Sequence, residues 1–320
     1  MEVRWGIIGA GDVTEVKSGP AFQQVEHSQL IAVMRRDAAK AKSYAERHGV
    51  PRWYTDAQQL IDDPEVNAIY VATPPDTHAY YATAALRAGK PVYLEKPMTL
   101  NSREAKALVE TQQACGVKLS VAHYRREQPY FKKVKELIDC HIGIPRIANL
   151  RYYQPPLAAE VMQSPGMQWR LNPDQSGGGL FNDLAPHQID LMHYFFGSIA
   201  SSGGMARNQA KAYGAADVVS GQIWFERGAL FTGQWAFNVA EKCDVCEVIG
   251  SEGKISFSVF DYQPITLVSG QRVQQFDFDP LPHVQQPMIA AVVSYIRGVG
   301  PNPCSVQEGC NVMQVLDRFA

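Results

Sequence analysis

The chain has 320 residues, 46% of them hydrophobic, and a formal net charge of −2. That length accommodates one large domain or two ordinary ones, with ample apolar material for a core. The balanced charge, with no basic run longer than Arg35-Arg36 or Arg125-Arg126, excludes a nucleic-acid footprint, and no apolar stretch approaches the roughly 18 residues of a membrane span.

Residues 3–8 read as a strand. It runs into Gly9-Ala10-Gly11-Asp12-Val13-Thr14, a glycine turn that opens a helix. Gly9 serves the tight turn, and Gly11 lets the backbone approach a pyrophosphate held by the start of the helix at Asp12, Val13 and Thr14. Thr14 stands where a third glycine would complete the fingerprint, so a generic glycine turn is the alternative. Pro20 kinks or restarts that helix. A second strand over 30–34 ends in Arg35 and Arg36. An acidic residue there would accept from a ribose hydroxyl, whereas two guanidiniums suit a 2′-phosphate by charge and bidentate geometry. NADP(H) is therefore the expected dinucleotide. NAD(H), with Asp37 on the ribose, is the alternative.

A helix over 38–48 closed by Gly49, a short strand over 50–54 and a helix over 56–61 follow. An apolar strand over 68–72 then ends in Thr73-Pro74-Pro75-Asp76-Thr77-His78. A helix over 80–88 and Gly89 lead to the strand Val92-Tyr93-Leu94, which stops abruptly at Glu95-Lys96-Pro97. Pro97 cannot donate to a sheet ladder, so the chain leaves the sheet there. Glu95 and Lys96 thus sit at a strand's C-terminal edge, where open α/β sheets bind ligands. A lysine there can hydrogen-bond a substrate hydroxyl or cofactor amide; a surface turn carrying a salt bridge is the plain alternative. Ser102 is expected to N-cap a helix over 102–115 closed by Gly116. The strand over 118–123 ends in Tyr124-Arg125-Arg126, either facing a ligand or flanking a helix with solvated arginines. This alternation predicts a doubly wound parallel sheet and a dinucleotide-binding domain over 1–122. The strand that begins at Val3 without a leader peptide makes a cytoplasmic location the default expectation.

The second half changes character. After a helix over 129–138, strand-like runs at 146–153, 219–226, 229–237, 244–249, 254–260, 265–269 and 272–278 are joined by turns such as Glu226-Arg227-Gly228 and Ser251-Glu252-Gly253. They predict a large, mostly antiparallel open sheet in a domain over 123–320, with helices on one face. Its other, partly apolar face is a natural subunit interface for a homodimer or homotetramer. Helices over 283–297 and 306–319 close the chain. Six cysteines are scattered and form no disulfide framework. Cys243 and Cys246 form a CxxC inside a strand-like stretch, where residues three apart face opposite sides, so no metal is expected.

Within this half lies Gly177-Gly178-Gly179 followed by Asp183, His187, Asp190 and His193. Asp183 and His187 are one helical turn apart and share a face. A histidine oriented by a carboxylate is a natural general acid/base. The plain alternative is a helix start with Asp183 on the dipole and His187 as a buried, satisfied polar residue.

The strand–ATPPDTH turn, the LEKP ending and the motif GGG-x-x-x-D-x-x-x-H-x-x-D together resemble the Gfo/Idh/MocA family of NAD(P)-dependent oxidoreductases (glucose-fructose oxidoreductase and inositol dehydrogenase-like), nearly end to end. The resemblance implies hydride transfer between the nicotinamide and a carbinol or carbonyl carbon of a sugar, polyol or related small molecule. It makes Lys96 and His187 the proton-handling pair and Asp183 a supporting substrate ligand. It lays the nicotinamide by Thr73, Pro74, Pro75, His78, Glu95 and Lys96. Tyr124 and Arg125 face the substrate, and Trp169-Arg170 matches a family element near the sugar pocket. Thr14 and Pro186 depart from the pattern without removing a functional group. The scaffold also hosts an NAD-dependent glycosidase and non-catalytic dinucleotide-sensing regulators, which stand as alternatives.

Overall fold

Six apolar runs in the first part of the chain become one parallel sheet. The strands are β1 (Val3–Ile8), β2 (Ser28–Met34), β3 (Arg52–Tyr54), β4 (Ala68–Val71), β5 (Val92–Leu94) and β6 (Leu119–Val121). The intervening helices are α1 (Asp12–Val16), α2 (Ala21–Gln24), α3 (Ala38–His48), α4 (Ala57–Asp62), α5 (His78–Arg87) and α6 (Ser102–Cys115). The structure is a computed structural model describing residues 1–320. Strand order is β3-β2-β1-β4-β5-β6, and every pairing is parallel. The chain winds outward from β1 through β2 and β3, then restarts on β1's other side at β4. This reversal opens a crevice at the carboxyl ends of β1 and β4, the ligand-binding position of such sheets. Every residue of β4, β5 and β6 is buried, as a sheet covered on both faces requires.

Local signals set most boundaries here. Asp37 caps α3 by accepting from Lys40 N at 3.1 Å, and Gly49 closes it in the left-handed region at φ 63°. α1 has already ended at Val16, and Pro20 starts a new helix, since α2 begins at the next residue. One cap differs from expectation: Asn101, not Ser102, caps α6. The Asn101 amide oxygen accepts from Glu104 N at 3.0 Å, and the Glu104 carboxylate accepts from Leu100 N at 3.2 Å. The pair satisfies one helix N–H and the N–H just before the cap, and starts the helix one residue earlier than a Ser102 cap would.

The second half opens with α7 (Pro129–His141) and β7 (Pro145–Tyr153), then three short helices: α8 (Ala159–Met162), α9 (Pro165–Leu171) and α10 (Pro173–Ser176). The long α11 (Gly179–Phe196) follows, then β8 (Ile199–Arg207), β9 (Val218–Phe225), β10 (Leu230–Ala236), β11 (Cys243–Gly250), β12 (Lys254–Phe257), β13 (Ile265–Ser269) and β14 (Arg272–Phe276). These strands with β7 form one sheet in the order β14-β13-β12-β11-β7-β10-β9-β8. All neighbours are antiparallel except β7 and β10. Its inner face buries Leu150, Ile223, Phe231, Trp235, Val248 and Phe257. Ile249, Ile147, Leu230 and Trp224 are direct cross-strand partners in one row on the outer face. Three of them are exposed, at 37%, 42% and 48% for Ile249, Ile147 and Trp224.

Two differences have plain causes. β8, absent from the sequence reading, is a Gly- and Ser-containing edge strand with no buried residue, so it carries no apolar alternation. β12 ends at Phe257 rather than Phe260, because the buried Asp244 carboxylate accepts from the N–H groups of Val259, Phe260 and Asp261 at 3.1, 2.5 and 3.0 Å. Those donors are lost to the ladder.

The chain ends with α12 (Gln286–Arg297) and α13 (Val306–Phe319). By contacts it divides into two units, Met1–Gln128 with Leu281–Cys310 and Pro129–Pro280 with Asn311–Ala320, whereas the sequence reading draws one boundary at 122/123. Residues 281–310 join the first unit through specific bonds. Val121 N donates to Cys304 O at 3.0 Å, and Lys118 Nζ closes the last turn of α12 on the carbonyls of Tyr295 and Ile296 at 2.7 and 3.0 Å. No helix is long and apolar enough to cross a membrane.

Arg126, after β6, forms an ion pair with Glu308 at the start of α13. Burial alone would raise the Glu308 pKa. The adjacent guanidinium and the bonds from Ser305 outweigh it and hold the carboxyl at about 2. Its folded-state pKa is therefore depressed, so its stabilisation is present above the unfolded value near 4.5 and is lost as pH falls towards 2. Glu308→Gln should cost about 2–4 kcal/mol in urea unfolding at pH 7, since it removes the carboxylate that faces the buried Arg126 charge. The deficit should shrink steadily below pH 4.5. An equal deficit at pH 7 and pH 3 would show that the ion pair is not its source.

Candidate active site

The first unit collects its chemistry at the C-terminal ends of β1, β2, β4, β5 and β6. At β1, Gly9 has φ +94°, and a Cβ there would lie 2.7 Å from both the Thr73 side chain and its main-chain nitrogen. Only glycine lets the two strand ends approach so closely. A Cβ on Gly11 would meet nothing nearer than Gly9 O at 3.8 Å, so the space before that backbone is open to a ligand. Thr14 is fully buried. Its hydroxyl closes the turn, accepting from Gly11 N at 3.0 Å and donating to Gly11 O at 2.8 Å. Its carbonyl accepts from Tyr44 OH at 2.8 Å. Thr14 therefore stabilises the turn from within in place of a third glycine. Asp12 is exposed at the turn's outer side and Val13 is half-buried.

At β2, Arg35 is half-buried and donates to Ala10 O at 3.1 Å, which brings a guanidinium to the glycine turn. Arg36 is exposed. The Asp37 carboxylate is engaged in capping α3.

At β4, Thr77 Oγ1 lies 2.8 Å from Thr73 Oγ1 and 3.1 Å from Pro74 O, which fixes the Thr73-Pro74-Pro75 turn. His78 is buried, and both its ring nitrogens face main-chain carbonyls: Nε2 is 2.7 Å from Thr73 O and Nδ1 is 2.9 Å from Pro97 O. Burial pushes its pKa down. The imidazole thus ties the ATPPDTH turn to the turn after β5, and neither nitrogen is directed at open space.

At β5, Glu95 is only 5% exposed. Its Oε1 accepts from Tyr70 OH and from Gln285 Nε2, both at 2.6 Å, and its Oε2 accepts from Lys96 N at 3.1 Å. Burial, and the Glu95 charge after it, push the Tyr70 and Tyr93 phenols well above their ordinary value, so both remain neutral donors. Glu95 is thus an internal anchor, and half-buried Lys96 follows it at the edge. At β6, Tyr124 and Arg125 are both buried, with the Arg125 guanidinium 5.6 Å from the Tyr124 ring centroid. The expectation of solvated arginines fails here, since Arg125 is 7% and Arg126 3% exposed.

In the second unit, Gly177 and Gly179 take positive φ to start α11, and Ser176 Oγ accepts from Gly179 N at 2.8 Å. Asp183 and His187 lie four residues apart on α11. Asp183 pairs with Arg170 Nε at 3.3 Å, and that guanidinium sits 4.4 Å from the Trp169 ring centroid. Trp169, Arg170 and Asp183 therefore form one assembled group. His187 is 5% exposed and meets the Phe260 ring edge-on at 5.8 Å. Beside it, Gln188 Oε1 accepts from Trp235 Nε1 at 2.6 Å, which locks the helix to the sheet. His193 contacts Asn311 Nδ2 at 3.1 Å, away from the Asp183 turn. Sequence reasoning missed Tyr70, Gln285, Asp244 and Phe260. None belongs to a motif, and only their distant partners give them a role.

Comparison with known proteins agrees with this architecture. The model for the oxidoreductase family's NAD-binding Rossmann fold matches residues 3–123, and that for the GFO/IDH/MocA C-terminal domain matches residues 131–256. Oxidoreductase P35 of Formosa agariphila is 44% identical over 99% of this chain and 98% of its own. The 1,5-anhydro-D-fructose reductase of Ensifer adhaerens is 28% identical over 96% of this chain and 92% of its own. Among solved structures, an aldose-aldose oxidoreductase from Caulobacter crescentus shares the fold with a TM-score of 0.86 at 23% identity, covering 99% of this chain and 96% of that one. Motif, topology and similarity over nearly the whole length agree, and the chain belongs to the Gfo/Idh/MocA family of NAD(P)-binding oxidoreductases.

Proposed function

We propose that the chain moves a hydride between NADP(H) and a carbon bearing a hydroxyl or carbonyl group in a sugar, polyol or related compound. The reading rests above all on the carboxyl edge of the first sheet, where a glycine turn open at Gly11 and a lysine fixed behind a buried carboxylate share one rim. The bound nicotinamide supplies or takes the hydride. The backbone of Gly9 to Thr14 would hold the pyrophosphate. Thr73, Pro74, Pro75, Glu95 and Lys96 would line the nicotinamide, with His78 holding their turns together. Lys96 polarises the substrate oxygen, and His187 gives or takes its proton. Asp183, with Arg170 and Trp169, orients the substrate hydroxyls, and Tyr124 and Arg125 complete its surroundings. The reductase from Ensifer adhaerens supports a carbohydrate-like carbonyl as the first substrate to try.

NADP(H) is favoured over NAD(H) because Arg35 reaches the glycine turn, Arg36 is exposed beside it in sequence, and Asp37 is committed to a helix cap. Fluorescence titration with NADPH and NADH should give tighter NADPH binding. Arg35→Ala/Arg36→Ala should weaken NADPH binding by about 10- to 100-fold and so erase that margin, as expected for lost hydrogen bonds to a charged group. Tighter NADH binding by the unmodified protein would overturn the assignment.

Turnover should be screened by NAD(P)H consumption on 1,5-anhydro-D-fructose, aldoses and polyols. With an active substrate, Lys96→Ala should lower kcat by roughly 10²- to 10⁴-fold while leaving the NADPH Kd within a factor of about 3. Retained turnover would remove Lys96 from the chemistry, and sugar hydrolysis without net cofactor oxidation would favour the glycosidase reading.

The row of Ile249, Ile147, Leu230 and Trp224, three of them exposed, makes the outer face of the second sheet the proposed contact between copies of this chain. Trp224→Glu should shift light-scattering mass towards the monomer. An unmodified protein that is already monomeric at micromolar concentration would rule this contact out.

A further inference from the structure

Gln285 lies outside every motif and is 1% exposed. Its polar groups bond the segment after α1, the end of β5 and the start of α12. Its main-chain N donates to Lys17 O, just past the end of α1, at 3.2 Å. Its side-chain Oε1 accepts from Tyr93 OH on β5 at 3.0 Å, and its Nε2 donates to Glu95 Oε1 at 2.6 Å. Its carbonyl accepts from Ile289 N at 2.9 Å and so begins α12. The two residues before it are fastened as well. His283 Nδ1 donates to Val16 O at 2.7 Å, and Val284 O accepts from Gln128 Nε2 at 3.0 Å. Residues 283–285 thus form a strap from the helix after the glycine turn to the carboxylate that holds Lys96.

We propose that Gln285 is a positioning residue of the dinucleotide cradle, holding Glu95, and through it the Lys96 turn, in fixed relation to α1. Two halves of one binding edge must keep their spacing to act on one ligand, and an error of about 1 Å in such spacing is costly. From β4, Tyr70 OH lies 3.2 Å from Ser18 Oγ, which gives one link between that edge and the segment after α1. The second link is supplied by a segment 190 residues away from Glu95 in sequence. The inference rests on the dinucleotide reading above.

An exchange of amide and carboxylate tests it. Gln285→Glu sets a second carboxyl against Glu95, and the pair regains a hydrogen bond only when it captures a proton. The groups facing this pair are Tyr70 and Tyr93, neutral throughout, and His78, which feels the Glu95 charge and whose own titration is read from the unmodified protein. In Glu95→Gln/Gln285→Glu the pairing is restored in reverse. The amide at 95 donates to the carboxylate at 285 and keeps its oxygen for Lys96 N, Tyr70 turns to accept, and Tyr93 donates to the second carboxylate oxygen.

NADPH and NADH are titrated by fluorescence at pH 6 and pH 8.5, with thermal melts run alongside. Gln285→Glu should bind the preferred dinucleotide about 10-fold more weakly at pH 8.5 and recover most of that loss at pH 6, as expected for a like-charge pair that regains its proton. The double variant should lie close to the unmodified protein at both pH values. Unaltered binding by Gln285→Glu, or a double variant no better than the single one, overturns the proposal. If Gln285→Glu does not fold, a folded double variant with near-native affinity still supports the pairing, and one with the affinity lost refutes it. An unmodified protein that binds neither dinucleotide would instead defeat the functional reading.

Discussion

The buried carboxylate of Glu95 is the constraint on which the first unit's functional edge depends. A carboxylate out of water is tolerated only when hydrogen bonds replace its hydration. Here three donors do so, from Tyr70, Gln285 and the main chain of Lys96. Each donor belongs to a different feature of the fold: a strand core, a returning segment and the edge turn. Satisfying one charge therefore specifies three positions at once. The aromatic cluster of Trp5, Phe22, Tyr70 and Tyr93 around it excludes water and raises the stakes of every bond.

The second unit solves a similar problem with a helix. α11 is buried along most of its length and carries Asn182, His187, Gln188, Asp190 and His193 into the interior. Trp235 meets the Gln188 amide oxygen, and Arg170, itself stacked on Trp169, meets Asp183. The Asp244 carboxylate gathers three successive N–H groups and so sets the loop that places Phe260 against His187. The Asp183–His187 side of the helix is thus held from several directions by residues of other elements of the same unit. Sites built on rigid elements with such support keep their geometry.

Much of this could be read from the chain alone. The parallel sheet, the glycine turn, the Glu95-Lys96-Pro97 edge and the Asp183–His187 spacing follow from periodicity, proline chemistry and helical geometry, all of which act over a few residues. The edge strand β8 was illegible because it buries no residue and so shows no alternation. The Asn101 cap was misplaced because Asn and Ser side chains cap equally well, and only the geometry of the Glu104 bonds separates them.

By itself the sequence determined which elements form and which residues stand at their ends, since those choices depend on neighbours within about one helical turn or two strand positions. It also carried enough of the family pattern to indicate the class of chemistry. Tertiary structure alone decided that Glu95 faces inward, that His78 is a tie between two turns, that residues 281–310 return to the first unit, and that Gln285 completes the carboxylate's shell. These depend on single polar pairs, one of them formed across 190 residues. Such pairs have no period and no fixed spacing, so they exist only once the strands have brought their ends together.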